Sequence, residues 1–250
     1  MNVGKWIRRF EGNTAEEEVD WEAPLEMAEG LRVPLGESLA IFQLGETGTG
    51  STLRRYVERV QGMDGFAGYE KALEKFVGEE HRHAAMLAKM VSRLGGTLLE
   101  KQWSNGLFRR VRKLINLEFQ LQMLLTAELL AEAYYEVLRR KVEDGPIKQF
   151  CARIVKDEVG HTAFHAEFFG ELQHEWSSLW RMLWRWQFRV VHRVTCAVVW
   201  WDHHPCFRAL GVRREEFDQL CGRALRTYLR RMERAAVEAG EGAWEQMVAL

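Results

Sequence analysis

The 250-residue sequence has only four prolines and four cysteines, and no run of 18 uncharged apolar residues. Each scarcity excludes something. Without so long an apolar run, no membrane-spanning helix is expected. No signal peptide is expected either. Cys151, Cys196, Cys206 and Cys221 show no CxxC or other metal or redox spacing, so they read as reduced, packed thiols of a cytoplasmic protein. Alternating β-branched runs are few, which argues against a sheet. A formal net charge of -1 gives, for the chain as a whole, no case for non-specific attraction to nucleic acid or to an anionic membrane.

What is there in quantity is Ala, Leu, Glu, Arg and Met at helical spacing, which predicts an all-α protein. At this length one domain with a substantial core is expected. Residues 1–30, with Trp6 and Trp21 on either side of "AEEEVD", read as a loosely docked N-terminal arm. Helices are expected at about 36–60, at 66–94 before the "GG" of 95–96, after a connection and up to Lys141, and from the "EDGP" turn to His174. These four form two hairpins joined by one longer crossover, so residues 31–174 read as a four-helix bundle. Residues 175–250 add a Trp-rich helix (176–201), the breaker "DHHP" and a basic helix from about Arg213 to Glu238.

The segment "FVGEEHRHAAML" (76–87) puts charge inside an apolar-periodic stretch. It contains Glu80-x-x-His83, and Glu158-x-x-His161 repeats the spacing, placing a carboxylate and an imidazole one turn apart on one helix face. Such a motif is short, and with 30 Glu and 8 His about one copy is expected by chance. A third copy, Glu171 to His174, therefore serves as a control. On a helical projection Phe150, Ile154, Phe168 and Leu172 fall within about 80° of Glu158, whereas Glu171 points the other way. Leu73, Phe76, Leu87 and Val91 likewise share the face of Glu80 and His83. Height gives a second criterion. Glu46 and Glu80 each stand 17 residues from Met63, in the first turn, and Glu128 and Glu158 each stand 15 from Glu143, in the second. The two distances together make about 48 Å of helix, close to the expected length of the second helix. Four carboxylates and two imidazoles at one buried level would repel and desolvate at a cost of several kcal/mol each. Two bound cations remove that cost; a polar core network is the alternative.

The pattern Glu46, Glu80-x-x-His83, Glu128, Glu158-x-x-His161 resembles that of the ferritin-like di-iron carboxylate superfamily, over roughly residues 36–174. The resemblance implies a four-helix bundle in which these six residues hold two iron ions, or a manganese–iron pair. It also implies that the acids preceding two of the ligands, Glu79 and Asp157, hydrogen-bond the ligand histidines. No one subfamily fits throughout. Rubrerythrin-like peroxidases carry an extra Glu where Ala131 stands, and ribonucleotide reductase subunits a Tyr where Leu87 stands. Bacterial multicomponent hydroxylases have a Thr at the place of Glu132. Glu132 and His165 are thus the candidate catalytic residues. Glu132 reads as an added ligand, a proton donor or the true ligand in place of Glu128. His165 reads as a further ligand or as a core histidine.

The resemblance implies an O2-dependent di-iron oxidoreductase, oxidase or oxygenase, acting on an organic, apolar small molecule. Electrons would come from a separate ferredoxin or reductase, since no flavin or Fe–S motif is visible. The alternatives are peroxide reduction or iron oxidation, and a metal-stabilised scaffold or membrane-associated protein. An apolar channel to the metals favours the first, a short polar path the second, a sealed level the third. A homodimer and a peripheral membrane contact are the other partners considered, the latter because Trp176, Trp180, Trp184 and Phe188 form a stripe beside Arg181, Arg185, Arg189 and Arg193. Packing of that stripe on the bundle, or its use as a pocket wall, are the competing readings.

Overall fold

In the computed structural model the described residues are 1–13, 19–47, 51–60, 62–63, 65–102, 106 and 117–248, without the side chains of 51–52, 56, 117–118 and 242–248. All regular structure among them is helical: α1 (Val3–Gly12), α2 (Glu29–Glu46), α3 (Ser51–Val60), α4 (Tyr69–Arg93), α5 (Leu117–Lys141), α6 (Gly145–Gln173), α7 (Ser178–Asp202), α8 (His204–Ala209) and α9 (Arg214–Val248). None of the described helices is long and apolar enough to cross a membrane.

Local chemistry fixes the ends that position the site. Gly95, at φ 76°, takes the left-handed conformation that stops α4, with Gly96 N–H returning to the Val91 carbonyl at 2.9 Å. Asp144 caps α6 by accepting from Ile147 N–H at 2.9 Å, and Pro146 follows in the first turn, where its missing donor costs nothing. Ser177 caps α7 in the same manner.

Helix α2 packs on α4, α5 on α6, and α4 on α6, while Ser38 of α2 reaches Tyr134 of α5. The start of α2 lies against the end of α4: a Cβ on Gly36 would stand 3.6 Å from Leu94 Cβ. At the far end, Arg55 of α3 donates to Gln120 near the start of α5. Helix α5 therefore starts at the end opposite to where α4 stops. Most of the connection between them, where the crossover was expected, lies outside the described residues. Helix α9 runs along α6 and α5, and α7 along α5.

The buried apolar side chains form two clusters. One joins Trp6, Phe10, Phe76, Leu125, Phe164 and Tyr228; the other joins Leu35, Leu87, Tyr134, Ile154 and Phe217. The middles of α4, α5 and α6 lie where the clusters meet.

Three expectations need correction. The N-terminal segment is not loosely docked: α1 buries Trp6 and Phe10, 2% and 3% exposed, because its short apolar face closes the groove between α4 and α6. The helix expected at 36–60 is α2 followed by α3, and α2 begins earlier, with Pro34 inside it. The C-terminal region has three helices rather than two, because Pro205 starts α8 instead of only ending α7.

Candidate metal centre

Helices α4 and α6 present Glu80, His83, Glu158 and His161 at the junction of the two clusters, with one ligand atom from each all within 4.8 Å of one another. His161 Nδ1 lies 3.0 Å from Glu80 Oε1, 3.3 Å from Glu128 Oε2 and 3.7 Å from Glu158 Oε2. His83 Nδ1 lies 3.5 Å from Glu158 Oε1 and 3.8 Å from Glu80 Oε1. Close as they are, six of these buried atoms (Glu80 Oε1, His83 Nδ1, Glu128 Oε2, both oxygens of Glu158 and His161 Nδ1) make no hydrogen bond. Orphaned buried acceptors cost more than 1 kcal/mol each, more when charged, and a shared cation is what such a convergence accommodates. Glu46 of α2 stands beside them, repelled by the charges of Glu80, Glu158 and Glu128.

The other nitrogen of each imidazole is anchored across the helix pair. His83 Nε2 meets Asp157 Oδ2 of α6 at 3.1 Å, and His161 Nε2 meets Glu79 Oε2 of α4 at 2.9 Å. These anchors leave Nδ1 of both rings facing the cluster. Arg153 Nε holds Asp157 at 2.9 Å and Arg82 holds Glu79 at 3.1 Å. Asn13, just past α1, ties the two anchors together: its amide donates to Glu79 Oε1 at 2.7 Å and to Asp157 Oδ1 at 2.6 Å. The Asn13 carbonyl accepts from Arg153 at 3.0 Å.

Burial, then the charges of Glu80 and Glu158, raise the Glu46 and Glu128 carboxyls well above their ordinary values. Burial also disfavours an ionised Glu80, but His161 and His83 outweigh it and bring that carboxyl to about 2. Glu158 is lowered by the same two histidines against burial. Burial opposes charge on His83, yet Asp157 and Glu158 prevail and lift it to about 9. His161 is raised well above its ordinary value by Glu80, Glu128, Glu158 and Glu79, also against burial. Without metal, Glu46, Glu128, His83 and His161 are thus shifted toward their protonated forms and Glu80 and Glu158 toward their ionised forms.

The two remaining candidates stand aside from the cluster. Glu132 accepts from Thr162 Oγ1 at 3.4 Å; burial first and Glu158 second lift its carboxyl to about 6, against the pull of Arg231. Glu128, not Glu132, is the α5 carboxylate beside His161. His165 packs edge-on to Phe76 at 5.0 Å and is pushed down to about 3, by burial and then by the charge of His161. The Glu171–His174 spacing lies away from the centre: Glu171 meets the N-terminal amine and His174 bonds the Glu171 carbonyl.

A cavity of about 210 Å³ reaches Glu46, Glu80, Glu128 and Glu158. Ile41, Phe42, Met123, Leu124, Val198 and Val199 are among its apolar wall, and Thr195, Asp202 and His203 add polar groups to it. Gly45 lines it too, and a Cβ there would meet nothing within 4 Å. The wall supplied by α7 comes from its C-terminal half. The tryptophan stripe divides instead: Trp184 packs on Phe169 at 5.3 Å and Phe188 on Tyr228 at 5.6 Å, while Trp180 is exposed.

Fold and site together define an all-helical protein with a buried Glu/His cluster able to hold metal. No family model, curated protein or solved structure matches the chain in the three comparisons made.

Proposed function

We propose that the chain is an O2-dependent di-iron oxidoreductase of ferritin-like architecture, with Glu46, Glu80, His83, Glu128, Glu158 and His161 as ligands and an organic, apolar small molecule as substrate. What carries the reading is the set of six buried atoms without hydrogen bonds, three of whose carboxylates, Glu80, Glu128 and Glu158, line a mostly apolar cavity. Four carboxylates and two imidazoles are the donor set of di-iron and di-manganese carboxylate centres. Iron bound there supplies the redox chemistry and O2 activation.

The chain's own residues do the rest. Glu79 and Asp157 accept from the two Nε2 atoms and so aim both Nδ1 atoms inward. The apolar wall admits an apolar molecule and keeps bulk water from the carboxylates. Glu132, with its carboxyl near 6, exchanges a proton near neutral pH one turn beyond Glu128. Electrons come from a separate donor protein.

Loading with ferrous iron, followed by metal analysis and an optical spectrum, tests the reading. About two irons per chain are expected, with O2 uptake by the loaded protein and loss of both in Glu80→Ala. Fewer than one metal per chain in the wild type, unchanged by that substitution, would contradict it.

A further inference from the structure

Helix α7 carries apolar side chains on two opposite sides. The inner side holds Trp184, Phe188, Thr195 and Cys196 against the rest of the molecule. On the outer side Leu179, Leu183, Trp186, Val190, Val194 and Trp201 are exposed, from 42% at Leu183 to 76% at Trp201. With Trp180 and Met182 at its borders, this strip holds eight of the twelve large apolar residues exposed among the described ones, so it is not random scatter. The spacing of three and four residues keeps it on one face for about 33 Å. It offers on the order of 800 Å² of surface, above the few hundred usual for a monomer's largest patch.

Charge selects the occupant. From Ser178 to Trp201 the helix has no acidic residue and four arginines. Arg185 meets Glu233 of α9 at 3.3 Å, while Arg189 and Arg193 are exposed along one border of the strip. A second copy packed antiparallel about Val190 would set Arg189 and Arg193 against the same pair, with no carboxylate between Ser178 and Trp201 of the facing helix to neutralise them. An anionic bilayer surface meets both features: the apolar strip enters the acyl boundary, indoles sit at headgroup level, and guanidinium groups bond phosphate.

We propose that α7 is a membrane-surface docking helix for anionic phospholipid bilayers. It lies in the interface without crossing it. Its inner side supplies Thr195, Val198 and Val199 to the cavity, so one wall of the cavity is the back of the docking helix. The surface stands on α7 alone, and lipid binding and metal loading are therefore separable in experiment.

The full chain is sedimented with vesicles of phosphatidylcholine alone, and with vesicles in which roughly a third is phosphatidylglycerol. Partitioning about tenfold stronger onto the anionic vesicles is expected, weakening as salt is added. Trp186→Glu should cut it by about tenfold or more, and Arg189→Gln and Arg193→Gln by about fivefold each. Circular dichroism and metal content of these variants should match the wild type. Folded wild type that stays in the supernatant overturns the proposal, as does binding indifferent to Trp186→Glu. So does a solution dimer that Trp186→Glu dissociates while no vesicle binding is seen, which would assign the strip to a second copy.

Discussion

At the scale of single residues, Asn13 connects both imidazoles through one amide. Its two hydrogen bonds fix Glu79 and Asp157, and those carboxylates fix His161 and His83. Asn13→Ala should weaken metal binding by about tenfold or more, the usual effect of loosening a partner one bond behind the ligands. Chelator competition measures it, and unchanged affinity would show the tie to be idle. Glu132 gives a prediction of a different kind. Its carboxyl is raised from 4.5 to about 6, so the folded chain holds that proton more tightly than the unfolded chain does. The cost of ionising it is absent below pH 4.5 and grows as pH rises through 6. Glu132→Gln should then stabilise the chelator-treated protein at pH 8 by about 1–2 kcal/mol and leave it unchanged at pH 4, read from urea midpoints. The convergence of Glu80, His83, Glu158 and His161 could be read from sequence because rigid helices convert spacing into face and height, whereas Glu79 and Asp157 were expected only from the family resemblance. Asn13 could not: an asparagine beside a helix end carries no periodicity, and only the docking of α1 brings it beneath the site.

At the scale of elements, the seam between α6 and α9 is set by a small residue. A Cβ on Gly170 would lie 2.5 Å from Ala235 Cβ, 2.7 Å from the Met232 carbonyl oxygen and 2.9 Å from Ala236 N. Backbone atoms cannot step aside, so Gly170→Ala should cost about 1–3 kcal/mol despite alanine's better helix propensity. On the same helix, the three atoms nearest a Cβ on Gly160 all belong to the guanidinium end of Arg9, which can swing away. Gly160→Ala should be neutral, or stabilising by up to about 1 kcal/mol. Denaturation of the two variants side by side checks the contrast; equal losses would mean that α9 does not pack so closely. The ends of α4 and α6 were legible because glycine, aspartate and proline mark them by mechanism. Helix α1 was not, since ten residues with one apolar face are too short to hold alone and take their stability from the groove they fill. Helix α8 was hidden because a proline after a helix can end one element or begin the next.

At the scale of the whole molecule, six ionisable groups sit between two apolar clusters, and either protons or cations must balance them. The two states should respond to pH in opposite directions. Without metal, His83 is raised from 6.5 to about 9, so its contribution is full below pH 6.5 and is lost as pH climbs through 9, and His161 is raised in the same sense. Glu46 and Glu128, also raised, stabilise the fold below 4.5 and lose that contribution as pH rises. Glu80, lowered to about 2, works the other way and limits stability only as pH falls below 4.5. Above pH 6.5 the raised histidines therefore push stability downward. Dications held there would take the place of protons on those imidazoles and raised carboxyls, so binding strengthens as pH rises and adds to stability by mass action. Between pH 6.5 and 9 the thermal midpoint of chelator-treated protein should fall while that of manganese(II)-loaded protein holds or rises. Parallel curves for the two forms would mean that the cations do not replace those protons, and the junction would then be a polar core network rather than a metal centre.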